Sequence, residues 1–215
     1  MSQLRINPDS RRWSAYPSWI TDLIPDQDLT LAMFVVSGLD PVQALERVGA
    51  GSHPIEPVTV SAERPADPYS SRAHVAVGAQ PHDYALLATQ VEDWTLVLDT
   101  SGITFGDEAI ALSAGGHQAA SCSVNAELDT HLTYAVSGER VFSITDPISV
   151  LRIDDLPPTL QAAARQSGVF VPENERIVRG AAENFILMLT LAGLSLTLDD
   201  LRELPWMGTK LDGMS

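Results

Sequence analysis

The chain has 215 residues, 45% of them apolar, and its 28 acidic against 13 basic side chains give a formal net charge of -15. That length suits one substantial core. That charge repels phosphate backbones and anionic lipid surfaces, which argues against general affinity for nucleic acid or membranes; its first reading is solubility, and it leaves room for a protein partner with a basic surface or a cationic ligand.

In chain order, Met1 to Gln27 carries Trp13, Tyr16 and Trp19 among Pro8, Pro17 and Pro25. It reads as an irregular segment with one helical turn at SWITDLI. Arg5, Arg11 and Arg12 are followed by no apolar run, which argues against a secretory signal. Leu29 to Val36 is continuously apolar, and its β-branched and aromatic content, its length and the Ser37-Gly38 stop favour a buried strand. A helix follows, with Asp40 at the N-cap, Pro41 at the first helical position, and Val42, Leu45 and Val48 on one face. Gly49 to Gly51 ends it.

Residues 52–83 hold Pro54, Pro57, Pro65, Pro68 and Pro81. They read as a Pro-rich loop insertion, with VTV and HVAV as short strands at most. From Tyr84 to Thr145 five strands are expected: YALLATQ, WTLVLD, ASCSVNA, HLTYAV and ERVFSIT. Glu92-Asp93 and Ser137-Gly138 mark turns, and Gly106 to Ser113 reads as a short helix stopped by Gly115-Gly116. Such short connections require antiparallel neighbours. Helices are then expected at Pro158 to Gln166 and, the longest, at Glu173 to Ala192, with Gly193 as its cap. Thr197 with Asp200 opens a last short helix. Residues 205–215 read as a tail anchored by Trp206.

Chemistry-bearing residues are few. His53, His74 and His82 sit in or beside the Pro-rich loop without the spacing of a zinc site. His117 follows two glycines that allow close approach to an anion, but a strand follows where a phosphate loop leads into a helix. The polar face of the β meander is the candidate binding surface. Ser121, Ser123 and Asn125 alternate on one strand and His131 and Thr133 on the next, with Asp129 nearby to suggest a Ser/His/Asp arrangement. Cys122 belongs to the opposite, apolar face and reads as a small inert hydrophobe. As the lone cysteine it forms no internal disulfide and fits a reducing compartment.

The segments SGLDPVQALERVGAG, DWTLVLDTSGI, LSAGGHQAASCSVNAELDTHLTYAVSGERVFSITDP and LTLAGLSLTLDDL resemble a family of actinobacterial proteins known as a domain of unknown function. The likeness spans about Leu29 to Leu201, and is most specific around Val124-Asn125-Ala126 and Tyr134-Ala135. It implies a cytoplasmic bacterial protein and assigns no activity, cofactor or site residue.

The expected fold is a single α+β domain over residues 1–215. It has a mainly antiparallel sheet of about six strands, with helices packed chiefly on one face, the longest covering the apolar side of the meander. The expected function is a non-enzymatic, acidic interaction module, immunity-like or regulatory, that binds another protein and uses no cofactor. A small-molecule site between the polar face and the Pro-rich loop is the alternative. An enzyme working through His131 or His117 ranks third.

Overall fold

In the computed structural model, residues 30–51, 53–100, 104, 108–125, 129–145, 151–172, 176–177 and 181–212 are described. The expected irregular segment Met1 to Gln27 lies outside them. Strand β1 (Leu31–Ser37) is buried along six of its seven positions. It is followed by helix α1 (Pro41–Leu45), where Asp40 accepts from the Gln43 N–H at 2.9 Å and Gln43 returns a bond to the Asp40 N–H. The helix widens into a π turn over Glu46–Ala50 that ends at the glycines.

Next come β2 (Glu56–Val58), α2 (Arg72–Val77), β3 (Tyr84–Val91), β4 (Trp94–Asp99) and α3 (Glu108–Ser113). The meander β5 (Gln118–Val124), β6 (Thr130–Val136) and β7 (Glu139–Ile144) follows. Ser137 and Gly138 have φ of 55° and 83°, the left-handed pair that a tight two-residue hairpin turn needs. Then come α4 (Pro158–Ser167), the strand pair β8 (Phe170–Val171) and β9 (Arg176–Ile177), α5 (Ala181–Leu191), α6 (Leu198–Glu203) and β10 (Trp206–Leu211).

The architecture is α+β, with one antiparallel sheet of eight strands rather than about six, in the order β2-β10-β3-β4-β1-β5-β6-β7. The two additional strands are at one end. Glu56–Val58 pairs with Trp206–Leu211, so the expected tail is an internal strand between β2 and β3. Trp206 is fully buried, and its indole N–H donates to the Leu201 carbonyl at 2.6 Å. The HVAV segment is helical instead of extended, because Ser71 and His74 cap α2 reciprocally and outweigh the β-branched valines. The long helix starts at Ala181, eight residues after the expected Glu173. Phe170–Val171 and Arg176–Ile177, rich in aromatic and β-branched residues, pair as strands instead.

Helices lie against both sheet faces, which corrects the one-sided arrangement. Leu31, Met33 and Val35 of β1 share a core with Leu87, Leu96, Leu98, Ala120, Cys122, Leu132 and Tyr134 of neighbouring strands. Leu160 of α4 and Phe185 and Met188 of α5 close it. Ala32, Phe34 and Val36 join a second core with Ala88, Val97, Ala119 and Ala135, closed by Leu45 of α1 and by Ala109 and Leu112 of α3. Full burial of each large side chain contributes roughly 1.5–3 kcal/mol, so β1 alone anchors both layers. No helix among the described residues is long and apolar enough to cross a membrane.

Gly208 of β10 marks a close approach between helix and sheet. A methyl group there would come within 2.7 Å of Val77 Cγ1 and 2.9 Å of both Leu87 Cδ2 and Val58 Cγ2. Gly208→Ala is therefore expected to destabilise the protein by about 1–3 kcal/mol through overpacking, read as a lower denaturation midpoint at an unchanged denaturant slope.

At the N-terminus of α6, the Thr197 hydroxyl donates to Asp200 Oδ2 at 2.6 Å and the Thr197 N–H donates to the same oxygen at 2.7 Å. These bonds, the hydroxyl first, hold the carboxyl below its ordinary value of 3.8. The cap is thus complete above the usual carboxylate range and is lost as pH falls through the lowered value. A carbon-13 NMR titration of the Asp200 carboxyl should show a midpoint below 3.8, returning toward it in Thr197→Ala.

Candidate functional site

The register of the sheet places the candidate residues in two rows on the second face. One row runs Asp99, Ala32, Ser123, His131; the next runs Val97, Phe34, Ser121, Thr133, Ser143. Ser121, Ser123 and Thr133 are buried, since α3 packs on β5 and β6 and their small side chains fit beneath it. Much of the expected polar surface is therefore interior. Its margins reach solvent, through half-buried Asn125 at the end of β5, half-buried His131 and Ser143, and exposed Thr145.

His131 stands among hydroxyls. Its Nε2 lies 2.8 Å from Thr133 Oγ1 and 3.3 Å from Ser143 Oγ, and its Nδ1 lies 3.2 Å from Thr145 Oγ1. Thr133 Oγ1 and Ser143 Oγ are themselves 3.2 Å apart. The hydroxyl nearest the imidazole, that of Thr133, is fully buried and out of reach of a substrate. Asp129 does not complete a triad. It is bound to half-buried Asn125, which accepts from the Asp129 N–H at 2.8 Å and donates to Oδ2 at 3.3 Å, closing the β5–β6 turn. Asn125 therefore shapes a turn, while Thr133, His131 and Ser143 form one hydrogen-bonded group.

A second histidine group is interior. Ser71 and His74 are both buried, with Ser71 Oγ 2.8 Å from His74 Nδ1 and 3.1 Å from Thr100 Oγ1. The Ser71 N–H also donates to Nδ1 at 3.0 Å, so Nδ1 is an acceptor and Nε2 carries the proton given to the Asp83 carbonyl at 3.1 Å. This is a serine–histidine contact built as a helix cap, and it fastens the Pro-rich segment to the end of β4. The spacing Ser-x-x-His is its sequence signal, a capping box with imidazole in place of carboxylate. Beside it, fully buried Asp99 accepts from the Thr104 N–H at 2.8 Å and hydroxyl at 2.6 Å. His53 and His82 are exposed, and among the described residues no group of three or more His, Cys, Asp or Glu side chains is placed to hold a metal ion.

His117, at the start of β5, is half-buried with Nδ1 2.9 Å from the Ser37 carbonyl. Arg47, from the π turn, reaches across to the end of α3 and donates from Nη1 to the carbonyls of Leu112 at 3.0 Å and Ala114 at 2.6 Å. Nothing in the local sequence links Arg47 to this turn. Comparison of the chain with protein-family models, with curated proteins and with solved structures finds no match.

Cys122 is opposite Leu132 within the first core, and burial pushes its thiol well above the ordinary value. Its reaction with an aromatic disulfide reagent is expected to proceed only as fast as the molecule unfolds, and to become rapid in denaturant. Fast labelling of the native protein would contradict this burial.

Proposed function

We propose that this chain is a cytoplasmic, non-catalytic binding module that engages another protein along the outer edge of β7. The observation that carries this reading is that β7 ends the eight-stranded sheet and, among the described residues, pairs with β6 alone. Its outward backbone N–H and C=O groups are of the kind that accept an added strand.

Side chains along this edge suit recognition. Glu139, Arg140 and Val141 are exposed, and Val141 is the extra residue of a bulge between the pairs Tyr134–Phe142 and Ala135–Arg140. Bulges and charges blunt indiscriminate edge pairing, so a partner strand has to match this contour. The hydroxyl-ringed His131 and Ser143 lie on the adjoining face and offer donors and acceptors to its side chains. The chain's net charge of -15 favours a partner segment rich in Lys and Arg, which implies association that slows as salt rises.

The test is recovery of a specific partner by the tagged protein, followed by the same measurement on Val141→Lys. Val141 is nearly half exposed, so the substitution leaves the melting temperature close to that of the parent. A lysine on the edge should weaken binding by about tenfold or more, which is about 1.4 kcal/mol. Hydrogen exchange of the Glu139–Ile144 amides should slow in the complex. Unchanged affinity in Val141→Lys, or repeated recovery of the protein alone, would overturn the proposal.

A further inference from the structure

We infer that Arg47, His117 and the turn at Gly115-Gly116 form a binding site for a phosphate group, separate from the β7 edge. A guanidinium has two usable edges. Here Nη1 is spent on the Leu112 and Ala114 carbonyls, which also neutralises the carbonyl-rich end of α3. The edge left over is Nε with Nη2, two parallel N–H groups that match two oxygens of one oxyanion. Arg47 is exposed, and that edge has no protein acceptor among the described residues. The bonds through Nη1 fix the side chain before any ligand arrives, so little rotamer freedom remains to be lost on binding.

His117 is held in the same way. A carbonyl only accepts, so the Ser37 carbonyl fixes the proton on Nδ1 and leaves Nε2 as the outward nitrogen. Gly38 leaves no slack behind the ring, because a methyl group there would meet Nδ1 at 3.1 Å. Both free nitrogens border one small space. The position that a Cβ would take on Gly115 is 3.8 Å from His117 Nε2 and 3.9 Å from Arg47 Nη2. Glycine at 115 keeps that space clear, and around Gly116 nothing lies within 4 Å of the corresponding position. A side chain at 115 would come into van der Waals contact with both nitrogens.

Proton inventory selects the ligand. In its neutral form, Nε2 presents a lone pair and repels a bare carboxylate. A phosphate that still carries one proton, inorganic phosphate or the monoanion of a monoester, accepts from Arg47 with two oxygens and donates its own O–H to Nε2; a carboxylate at neutral pH has no such proton to give. The turn thus pairs a fixed guanidinium fork with a fixed proton acceptor. The sequence shows only the glycines and the histidine, because Arg47 is brought from 68 residues away.

The test is an NMR titration at neutral pH and constant ionic strength, following the Gly115 and Gly116 amides and the His117 ring. The titrants are inorganic phosphate, glycerol phosphate and acetate, with chloride as the background salt. Saturable shifts with midpoints in the millimolar range are expected for both phosphates, with acetate about tenfold weaker. Arg47→Lys keeps a cation for the α3 carbonyls but loses the fork, and should weaken phosphate by about tenfold at an unchanged melting temperature. If that variant is destabilised, His117→Phe, which leaves Arg47 and its carbonyls in place, should show the same loss. Shifts that grow linearly and alike with phosphate, acetate and chloride would overturn the site. So would midpoints that are unchanged in a folded variant. Equal midpoints for acetate and phosphate would overturn the assignment to phosphate.

Discussion

Two-sided burial of β1 is the constraint on which the rest of the fold depends. A strand alternates its side chains, so Leu31, Met33 and Val35 can be covered only by one layer and Ala32, Phe34 and Val36 only by another. A slip of one residue in pairing with β4 or β5 would exchange the two sets, bringing Phe34 under the α4–α5 layer and Met33 under α1 and α3. The register Met33–Leu98 and Met33–Cys122 is thus fixed by both cores together. The layers differ in content. The α4–α5 side is filled by large aliphatic and aromatic groups, whereas the α1–α3 side alternates large groups with alanines and with the serines and threonine of β5 and β6.

That second layer shows how polar residues come to be interior without harm. A small hydroxyl lets a helix approach closely, and its desolvation is offset when it finds a partner. Thr133 has His131 and Ser143, Thr95 donates to the Leu39 carbonyl, and Ser113 both donates to Ile110 and accepts from Gly138. Ser71, His74 and Thr100 satisfy one another at the far side of β4. Thr209 differs: its buried hydroxyl has no hydrogen-bond partner among the described residues, at the point where β10 is inserted between β2 and β3. The polar interior is therefore a by-product of close helix packing at most places, and approaches solvent at His131, Ser143 and Thr145 on the margin of β6 and β7.

Features with local punctuation were legible in the sequence. Asp40-Pro41, Ser137-Gly138, Gly193 and the pair Thr197/Asp200 each act through neighbours three or four residues away, and each stands at the corresponding cap or turn. The apolar run of β1 was legible as a buried strand, and a strand apolar at every position needs cover on two faces, whereas the alternating meander by itself reads as a sheet with one dry and one wet face. Strand β10 was hidden because WMGTKL carries a glycine and a lysine, and because its partners Tyr84–Val91 and Glu56–Val58 are more than a hundred residues distant. The solvated reading of Ser121, Ser123 and Thr133 failed for a related reason. Hydroxyl side chains have the same letter on a wet face as under a helix, and only the path of α3 decides between them. Arg47 at the Gly115 turn is the same problem in its extreme form, a contact with no local pattern at all.

The two ends of the sheet are not equivalent, and the difference bears on what the molecule can meet. At one end β2 is three residues long and contains Pro57, which has no N–H to offer, so this edge is blunted. At the other, β7 is twice as long, has no proline, and relies on one bulge and the exposed Glu139 and Arg140. An open edge invites pairing with a second copy of the same strand, which is the usual hazard of an exposed β edge. Here each copy would bring a charge of -15, so the long-range field opposes such self-association. The acidity and the open edge make sense together. An edge of this kind without acidity would risk aggregation; with it, the contour at Val141 can face solvent while copies of the chain are kept apart.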